Sequence, residues 1–377
     1  MKKVAFLTNS MGGGGAERIV ANLGEHFSQD GDLHSEVVLF ERNDFYKPHE
    51  GVQINYLADF RGKEHPILKL LSLPLIAWRL RSYVRKNNID VVQSHLYRAN
   101  YVNIMAQMMG GTHESQIVNH DNFFRGYRKT FFGRQKLKLV DFFYKRADKI
   151  IAISEDMREG MEELLGRRVE KINNPYDIEM MEAKGMEEVT ELPKGRRYII
   201  SVGSLIPLKR GEDVIEGYSK IANRYPDYDL VILGDGSERK NLEELTKILG
   251  LEGRVHFLGR VENPFKYLKR SEIFVMASES EGFPNVLIEA MACGCQVVAS
   301  DCISGPREII NPDLHRRVDK LTSGGYGSLF PVGDVEALGQ GLESAIKGQA
   351  KYQVSRRAGD FQREIIMKRY KEVLLNG

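Results

Sequence analysis

Ser278-Glu-Ser-Glu281-Gly-Phe-Pro-Asn-Val-Leu-Ile-Glu289-Ala-Met-Ala292 is the stretch on which the reading of the chain turns. It follows Ile273-Phe-Val-Met276, a short apolar run of the kind that forms a buried strand. A polar turn with Glu281, Gly282 and Pro284 comes next, and residues 285–293 then show helical periodicity before a glycine stop at Gly294. One carboxylate therefore sits in a strand-to-helix loop, and a second, Glu289, on the helix itself. The first helical turn offers backbone N–H groups without acceptors inside the helix, which favour a phosphate or another anion. A carboxylate only accepts hydrogen bonds, so two of them beside an anion site suit a ligand rich in hydroxyls, such as ribose and a sugar. Physical chemistry alone gives an anion-and-polyol site. A capped surface helix with solvated glutamates satisfies the same pattern.

Working outward, strands alternate with helices on both sides of this motif. Val4-Ala-Phe-Leu7 reads as a strand leading into Gly12-Gly-Gly-Gly15, with a helix over 16–27. Strands are expected at 89–93, ending near His95 with Arg98 and Asn100 just beyond, at 116–119, ending at His120, and at 147–154. A helix follows over 154–165, and residues 66–86 read as one or two helices with a broad apolar side. A polar, glutamate-rich linker runs from about residue 177 to Gly195. The alternation then restarts: strands at 198–203, 229–233, 255–257 and 296–299, helices at 213–224 and 238–249. This pattern implies parallel sheets covered by helices on both faces, whose ligands bind at the carboxyl ends of the strands. A chain of 377 residues is long enough for two such domains. The expected division is 1–175 and 176–354, two Rossmann-like domains facing a cleft.

Composition narrows the setting. Three cysteines, Cys293, Cys295 and Cys302, are too few for a disulfide framework and lack zinc-ligand spacing. A cytoplasmic protein without bound metal or cofactor is expected. The N-terminus reads as a first strand rather than a signal peptide, and residues 67–78 are too short and too interrupted to span a bilayer. Asp30-Gly-Asp32 has the spacing of a metal-binding D-x-D, but lies in a turn with no apolar run before it. The net charge of +2 conceals an asymmetry: residues 61–149 hold 17 positive and 6 negative side chains, leaving −9 for the remainder. Something acidic is expected to meet that segment: a membrane surface, a diphosphate or nucleic acid.

The pattern E-G-F-P-N-x-x-x-E over 281–289 resembles the signature of the family 4 retaining glycosyltransferases, which have the GT-B fold. The resemblance extends over nearly the whole chain; it implies a domain junction at Asn173-Asn-Pro175-Tyr-Asp177 and a last helix, near 355–377, that crosses back to complete the first domain. It implies donor contacts from Gly13, Gly14 and Gly15 of the glycine loop, with Glu17 facing the acceptor. Lys209 matches the family's phosphate-binding lysine, whereas Ser204 stands where the family usually has arginine, and Arg210 is expected to substitute. Adjacent cations there would neutralise a departing diphosphate; a solvated Lys-Arg pair in a loop is the plainer alternative. Glu281 is expected on the hydroxyls of the donor sugar and Glu289 on those of the ribose, with Gly282, Phe283, Pro284, Asn285 and Val286 around them and Arg260 nearby. His120 is expected to stabilise positive charge developing on the sugar, so that His120, Glu281 and Lys209 form the catalytic set. His95, Arg98 and Asn100 are expected to face the acceptor. The implied reaction is metal-independent transfer of a hexose or N-acetylhexosamine from a nucleotide-sugar, by preference a UDP-sugar. The acceptor is a glycan on polyprenyl diphosphate, in assembly of a bacterial surface polysaccharide such as O-antigen or capsule.

Two rivals share the cleft: an epimerase acting on UDP-N-acetylglucosamine, and a mannosyltransferase using GDP-mannose. A Rossmann oxidoreductase has weaker support, because Glu17 stands at the third glycine position of G-x-G-x-x-G, although Glu41 after the second strand mimics a ribose binder. Residues 123–149 interleave aromatics with nine basic side chains against Asp141 and Asp148. Such a stretch suits nucleic acid or an anionic lipid surface. With the apolar run 67–78 in the same domain, the inner face of the membrane is preferred over nucleic acid, with Arg125, Arg128 and Lys129 as contacts.

Overall fold

Apolar runs that lack strict alternation are strands covered on both faces. The computed structural model describes residues 1–12, 14–43, 51–60, 65–120, 130–348 and 353–376. It divides into two units, Met1–Pro175 with Glu364–Gly377, and Tyr176–Arg363.

The first unit runs β1 (Lys2–Thr8), α1 (Gly15–Ser28), β2 (Leu33–Glu41), β3 (Ile54–Phe60), α2 (Pro66–Leu71), α3 (Leu73–Asn87), β4 (Val91–His95), α4 (Tyr97–Met108), β5 (Glu114–Asn119), α5 (Phe131–Tyr144), β6 (Lys149–Ala152), α6 (Glu155–Leu165) and β7 (Glu170–Lys171). Its strands form one parallel sheet in the order β3-β2-β1-β4-β5-β6-β7. In β1 the residues Val4, Ala5, Phe6 and Leu7 are all fully buried, as a central parallel strand requires. Leu73, Ile76, Leu80 and Val84 of α3 pack with Leu7, Val38, Phe40 and Val92 in the core on one face.

The second unit runs α7 (Ile178–Gly185), β8 (Arg197–Val202), α8 (Gly211–Ala222), β9 (Tyr228–Leu233), α9 (Arg239–Ile248), β10 (Val255–Gly259), α10 (Phe265–Leu268), β11 (Ile273–Met276), α11 (Asn285–Ala292), β12 (Gln296–Ser300), α12 (Pro306–Ile310), β13 (Thr322–Ser323), β14 (Ser328–Phe330), α13 (Val335–Ile346) and α14 (Val354–Gly359). The sheet order is β10-β9-β8-β11-β12-β14-β13, parallel except for the short antiparallel pair β13–β14 at its edge. Both sheets reverse direction of winding beside their first strand, between β1 and β4 and between β8 and β11. That reversal opens a crevice at the carboxyl ends.

Two expectations need correction. The stretch after residue 175 is not an extended linker: Asp177 accepts from Met180 N at 2.9 Å, and α7 packs against α10 and α11. The last helix is broken at residues 360–362. Its first part, α14, belongs to the second unit, where Arg357 donates to the carbonyls of Glu308 and Ile309. Only α15 (Arg363–Leu375) closes the first unit, so the return lies near 364 rather than 355. There the Val373 carbonyl accepts from Gln116 Nε2 and Lys149 Nζ, and Lys371 bridges Asp30 and Asp32. The D-x-D turn is thus a docking point for a lysine of the final helix.

Candidate functional site

The carboxyl edge of the second sheet gathers most of the residues expected on the donor. After β8 the chain passes through Gly203 and Ser204 into a turn of 3₁₀ helix, Pro207–Lys209, and after β11 it enters the loop that holds Glu281. Glu279 N donates to the Leu208 carbonyl at 2.9 Å, which ties the two loops together. As a result Lys209 Nζ lies 2.6 Å from Glu281 Oε1, although 72 residues separate them. The same oxygen accepts from Ser278 Oγ at 2.6 Å. Ser204, Ile206, Lys209, Ser278, Glu281 and Val286 are among the walls of a recess with about 540 Å³ of empty space, the open mouth included.

Beside Gly203 and Leu233, which line that recess, the backbones of neighbouring loops approach closely. Gly234 adopts φ 134°, and a Cβ placed there would come 1.8 Å from the carbonyl oxygen of Gly203. Gly234 N donates to Gly259 O and Gly203 N to Leu233 O, so the loops after β8, β9 and β10 are laced to one another. Arg260, just after β10, is exposed.

The remaining motif residues divide between site and scaffold. Phe283 is buried against Phe361, with ring centroids 5.7 Å apart. Asn285 opens α11, and its Oδ1 accepts from the Tyr176 hydroxyl at 2.5 Å. The Gly282 carbonyl accepts from Ser304 Oγ at 2.7 Å, and Pro284 precedes the helix as its N-cap. Glu289, one turn along α11 from Asn285, is largely buried. Arg210 departs from expectation: it sits in the left-handed region at φ 49°, and its guanidinium makes two bonds to buried Asp213 at 2.7 and 3.0 Å. The cation at the Glu281 carboxylate is Lys209. Ser278, Tyr176 and Gly234 were not among the expected site residues. Ser278 lies inside the quoted motif and Gly234-Asp-Gly236 follows a strand, so both carried a local signal; nothing local shows that Tyr176 reaches Asn285 across 109 residues.

In the first unit, Gly14 is the N-cap of α1 and Gly15 its first residue. A Cβ on Gly14 would stand 2.3 Å from Glu17 Oε2, so the glycine makes room for a carboxylate folded back over the helix start. Burial pushes the Glu17 carboxyl up, partly offset by its own backbone N–H. Gly13 lies outside the described residues. Glu41 is no ribose binder: it is buried, held by Arg98 at 2.5 Å and Lys69 at 3.3 Å. This removes the oxidoreductase mimic and accounts for Arg98. Asn100 is fully buried, accepting from Ser94 Oγ and donating to the Tyr144 hydroxyl and Val118 carbonyl. It supports the β4 edge from within rather than facing an acceptor.

His95 and His120 end up as one unit. His95 closes β4 and is wholly buried; His120 follows β5, the next strand, and keeps part of its surface. His95 Nδ1 lies 2.9 Å from His120 Nε2, and the rings stack with centroids 5.1 Å apart. Burial pushes His120 down to about 4. Burial, and then the neighbouring His120, hold His95 well below the usual imidazole range. Both rings are therefore neutral near pH 7.

The apolar side expected on residues 66–86 is two-sided. One face of α3 enters the core, while Leu71 and Trp78 remain 71% and 54% exposed, together with Ile67, Leu68, Leu70 and Leu75. On α5, Phe131 and Phe132 are also exposed, the latter 79%, beside exposed Arg134, Lys136 and Lys138. Both α3 and α5 pack against α4. Arg125, Arg128 and Lys129 lie outside the described residues. Among those described, no helix is long and apolar enough to cross a membrane.

Comparison with known proteins adds a family to this geometry. The model of glycosyltransferase family 4 matches residues 13–180, and that of glycosyl transferases group 1 matches residues 184–360. The chain is 33% identical over 351 residues to the N-acetylgalactosamine-N,N'-diacetylbacillosaminyl-diphospho-undecaprenol 4-alpha-N-acetylgalactosaminyltransferase of Campylobacter jejuni, covering 92% of this chain and 91% of that protein. It is 23% identical to the lipopolysaccharide 1,6-galactosyltransferase of Salmonella typhimurium, over 93% and 91% of the two chains. Two solved structures share the fold. The apo lipopolysaccharide outer core galactosyltransferase WaaB has a TM-score of 0.74 at 21% identity over 99% of each chain. Anabaena Alr3699/HepE in complex with UDP and glucose has 0.77 at 20% over 100% of each.

Proposed function

The chain belongs to the family 4 glycosyltransferases, and on that premise we propose that it transfers a hexose or N-acetylhexosamine from a UDP-sugar, with retention and without a metal ion, to a lipid-linked or growing surface glycan. The observation that carries this reading is the Lys209–Glu281 pair at the carboxyl edge of the second sheet. A lysine ammonium has three donors, so Lys209 can keep its contact with Glu281 and still give two N–H groups to a diphosphate. Placed there, its charge offsets the negative charge that grows on the departing nucleotide. Glu281, held by Lys209 and Ser278 through one oxygen, keeps lone pairs for sugar hydroxyls. Glu289 on α11 is assigned to the ribose. His120 is assigned to the positive charge that develops on the sugar, which a neutral imidazole or its backbone carbonyl tolerates and an imidazolium would oppose. Glu17 remains the acceptor-side candidate, Arg98 being held by Glu41. Retention follows if the leaving phosphate helps deprotonate the incoming hydroxyl on the same face.

Support for the acceptor comes from a relative whose name places it on a diphospho-undecaprenol-linked substrate, and support for UDP from a structural neighbour that holds it. The exposed apolar residues of α2, α3 and α5, with cations among them, fit a peripheral site on an anionic membrane surface.

A panel of UDP-, GDP- and ADP-sugars tests the donor by thermal shift. A donor at a hundred times its dissociation constant adds ~2.7 kcal/mol to folding stability when it binds only the folded form. A shift with UDP-sugars alone is expected; one with GDP-mannose moves the enzyme to the mannosyltransferases. Conversion of UDP-N-acetylglucosamine without acceptor makes it an epimerase. Transfer to a polyprenyl-diphosphate glycan is then followed in EDTA, with the anomeric configuration of the product read by NMR. For the membrane reading, Leu71→Ser with Phe132→Ser is expected to weaken co-sedimentation with phosphatidylglycerol vesicles, and unchanged pelleting would end it.

A further inference from the structure

We propose that His95 is a positioning residue, which donates from Nδ1 to His120 Nε2 and thereby fixes His120 in the tautomer that carries its proton on Nδ1. The two rings sit at the ends of adjacent strands, 2.9 Å apart at these nitrogens. One proton fits in that contact, so one nitrogen donates and the other accepts. The burial of His95 decides which. Its ring has no exposed surface, and its Nε2 has no partner among the described residues. A buried N–H left without an acceptor is rarer in folded proteins than an under-used acceptor. His95 therefore holds its proton on Nδ1, where His120 receives it, and leaves Nε2 as a bare acceptor. His120 Nε2 is then occupied, and its own proton stands on Nδ1.

The neighbourhood maintains this state. Burial disfavours the charged form of both rings, so the neutral pair persists through neutral pH. Protonating His120 at Nε2 would also break the contact, because both nitrogens would then be donors. The lock therefore keeps His120 oriented and uncharged. Its value for transfer rests on the assignment of His120 to the developing sugar charge; the tautomer itself rests only on the geometry of the first unit.

The test uses the full chain labelled with ¹⁵N-histidine and long-range ¹H–¹⁵N correlation at pH 7, the His120 signals being those lost in His120→Asn. His120 Nδ1 is expected to show the chemical shift of a protonated nitrogen and Nε2 that of an acceptor; the reverse overturns the proposal without touching the donor site. In His95→Phe the donor is gone, and the single-tautomer signature of His120 is expected to disappear. With it kcat falls by up to about a hundredfold at unchanged donor KM, the scale of a misplaced group. His95→Asn places an N–H where Nδ1 stood and is expected to restore the signature and most of kcat, while His95→Gln, with its amide one carbon further out, is not. If His95→Phe does not fold, the wild-type spectrum alone decides the tautomer. A correct spectrum with wild-type kcat in His95→Phe would keep the lock and remove its role in transfer.

Discussion

The carboxyl edges of the two sheets solve the same architectural problem with opposite electrostatics. At the edge of the second sheet, Lys209 and Glu281 form an ion pair with the lysine side chain 31% exposed, so both partners stay within reach of solvent and ligand. At the edge of the first, His95 and His120 form a neutral pair whose inner member is sealed from solvent. A half-buried ion pair whose lysine still meets solvent has donors left to share with an arriving anion. A buried neutral pair has the reverse character: it resists charge and fixes orientation. The difference teaches that one unit is built to neutralise charge and the other to exclude it.

The largest effect is expected from breaking the close backbone packing at the second edge. Gly234→Ala forces a Cβ into the Gly203 carbonyl at a φ that non-glycine residues avoid, and is expected to cost at least ~4 kcal/mol, the range of severe backbone and packing lesions. Hydrogen exchange locates the damage. Protection should fall in β8 and β9 and be kept in β4 and β5. Equal loss in both sheets would mean that the units do not respond separately.

Next in size is the ion pair. Glu281→Gln keeps the shape and removes the charge that holds Lys209, and is expected to lower kcat by ~10²–10³, as for loss of a transition-state electrostatic contact. Lys209→Met should do the same. The double variant should lose little more than either single one, because each removes the other's partner. Additive losses in kcat would show two independent residues and dissolve the pair as a functional unit.

How much of this was legible in the sequence follows the same divide. The central strands of both sheets were visible because parallel, doubly covered strands are apolar runs ended by glycine and polar turns, as in Val4–Leu7; β3, β7, β13 and β14, at or beside a sheet edge, were not read. Glu281, Lys209 and the helix at Asn285 were visible because the motif is local in sequence, or falls at a fixed place after a strand. What escaped was long-range or compensated. The contact of His95 with His120 depends on strand register, which no spacing reveals. Asn100 and Arg98 read as surface polar groups because their partners, Tyr144 and Glu41, are 44 and 57 residues away. Helix α7 was hidden by glutamates that lie on its outer side, and the break at 360–362 by apolar residues that continue on both flanks. Arg210 looked like a phosphate cation until Asp213, three residues on, was seen to hold it.

The smallest effect separates the edges by acid. His120 and His113 are pushed down to about 4 by burial, and His95 lies well below the ordinary value of 6.5. Below pH 6.5 the unfolded chain binds protons at these positions and the folded first unit does not, so its stability falls as pH drops toward 4. Glu17 and Glu36, pushed up by burial, act in the opposite sense and limit the slope. In the second unit burial raises Asp229, but hydrogen bonds from Arg196, His256 and Arg254 outweigh it and hold the carboxyl below 3.8. Its contribution is complete above that value and is lost only as pH falls through the lowered one. Between pH 6.5 and 4.5 the first unit should therefore lose protection in β4 and β5, measured by hydrogen exchange corrected for intrinsic rate, while β8 and β9 hold theirs. Combining His95→Asn with His113→Asn should flatten the response of the first unit. An unchanged slope would show that the imidazoles are not the groups kept neutral, and would undo the electrostatic contrast between the two edges.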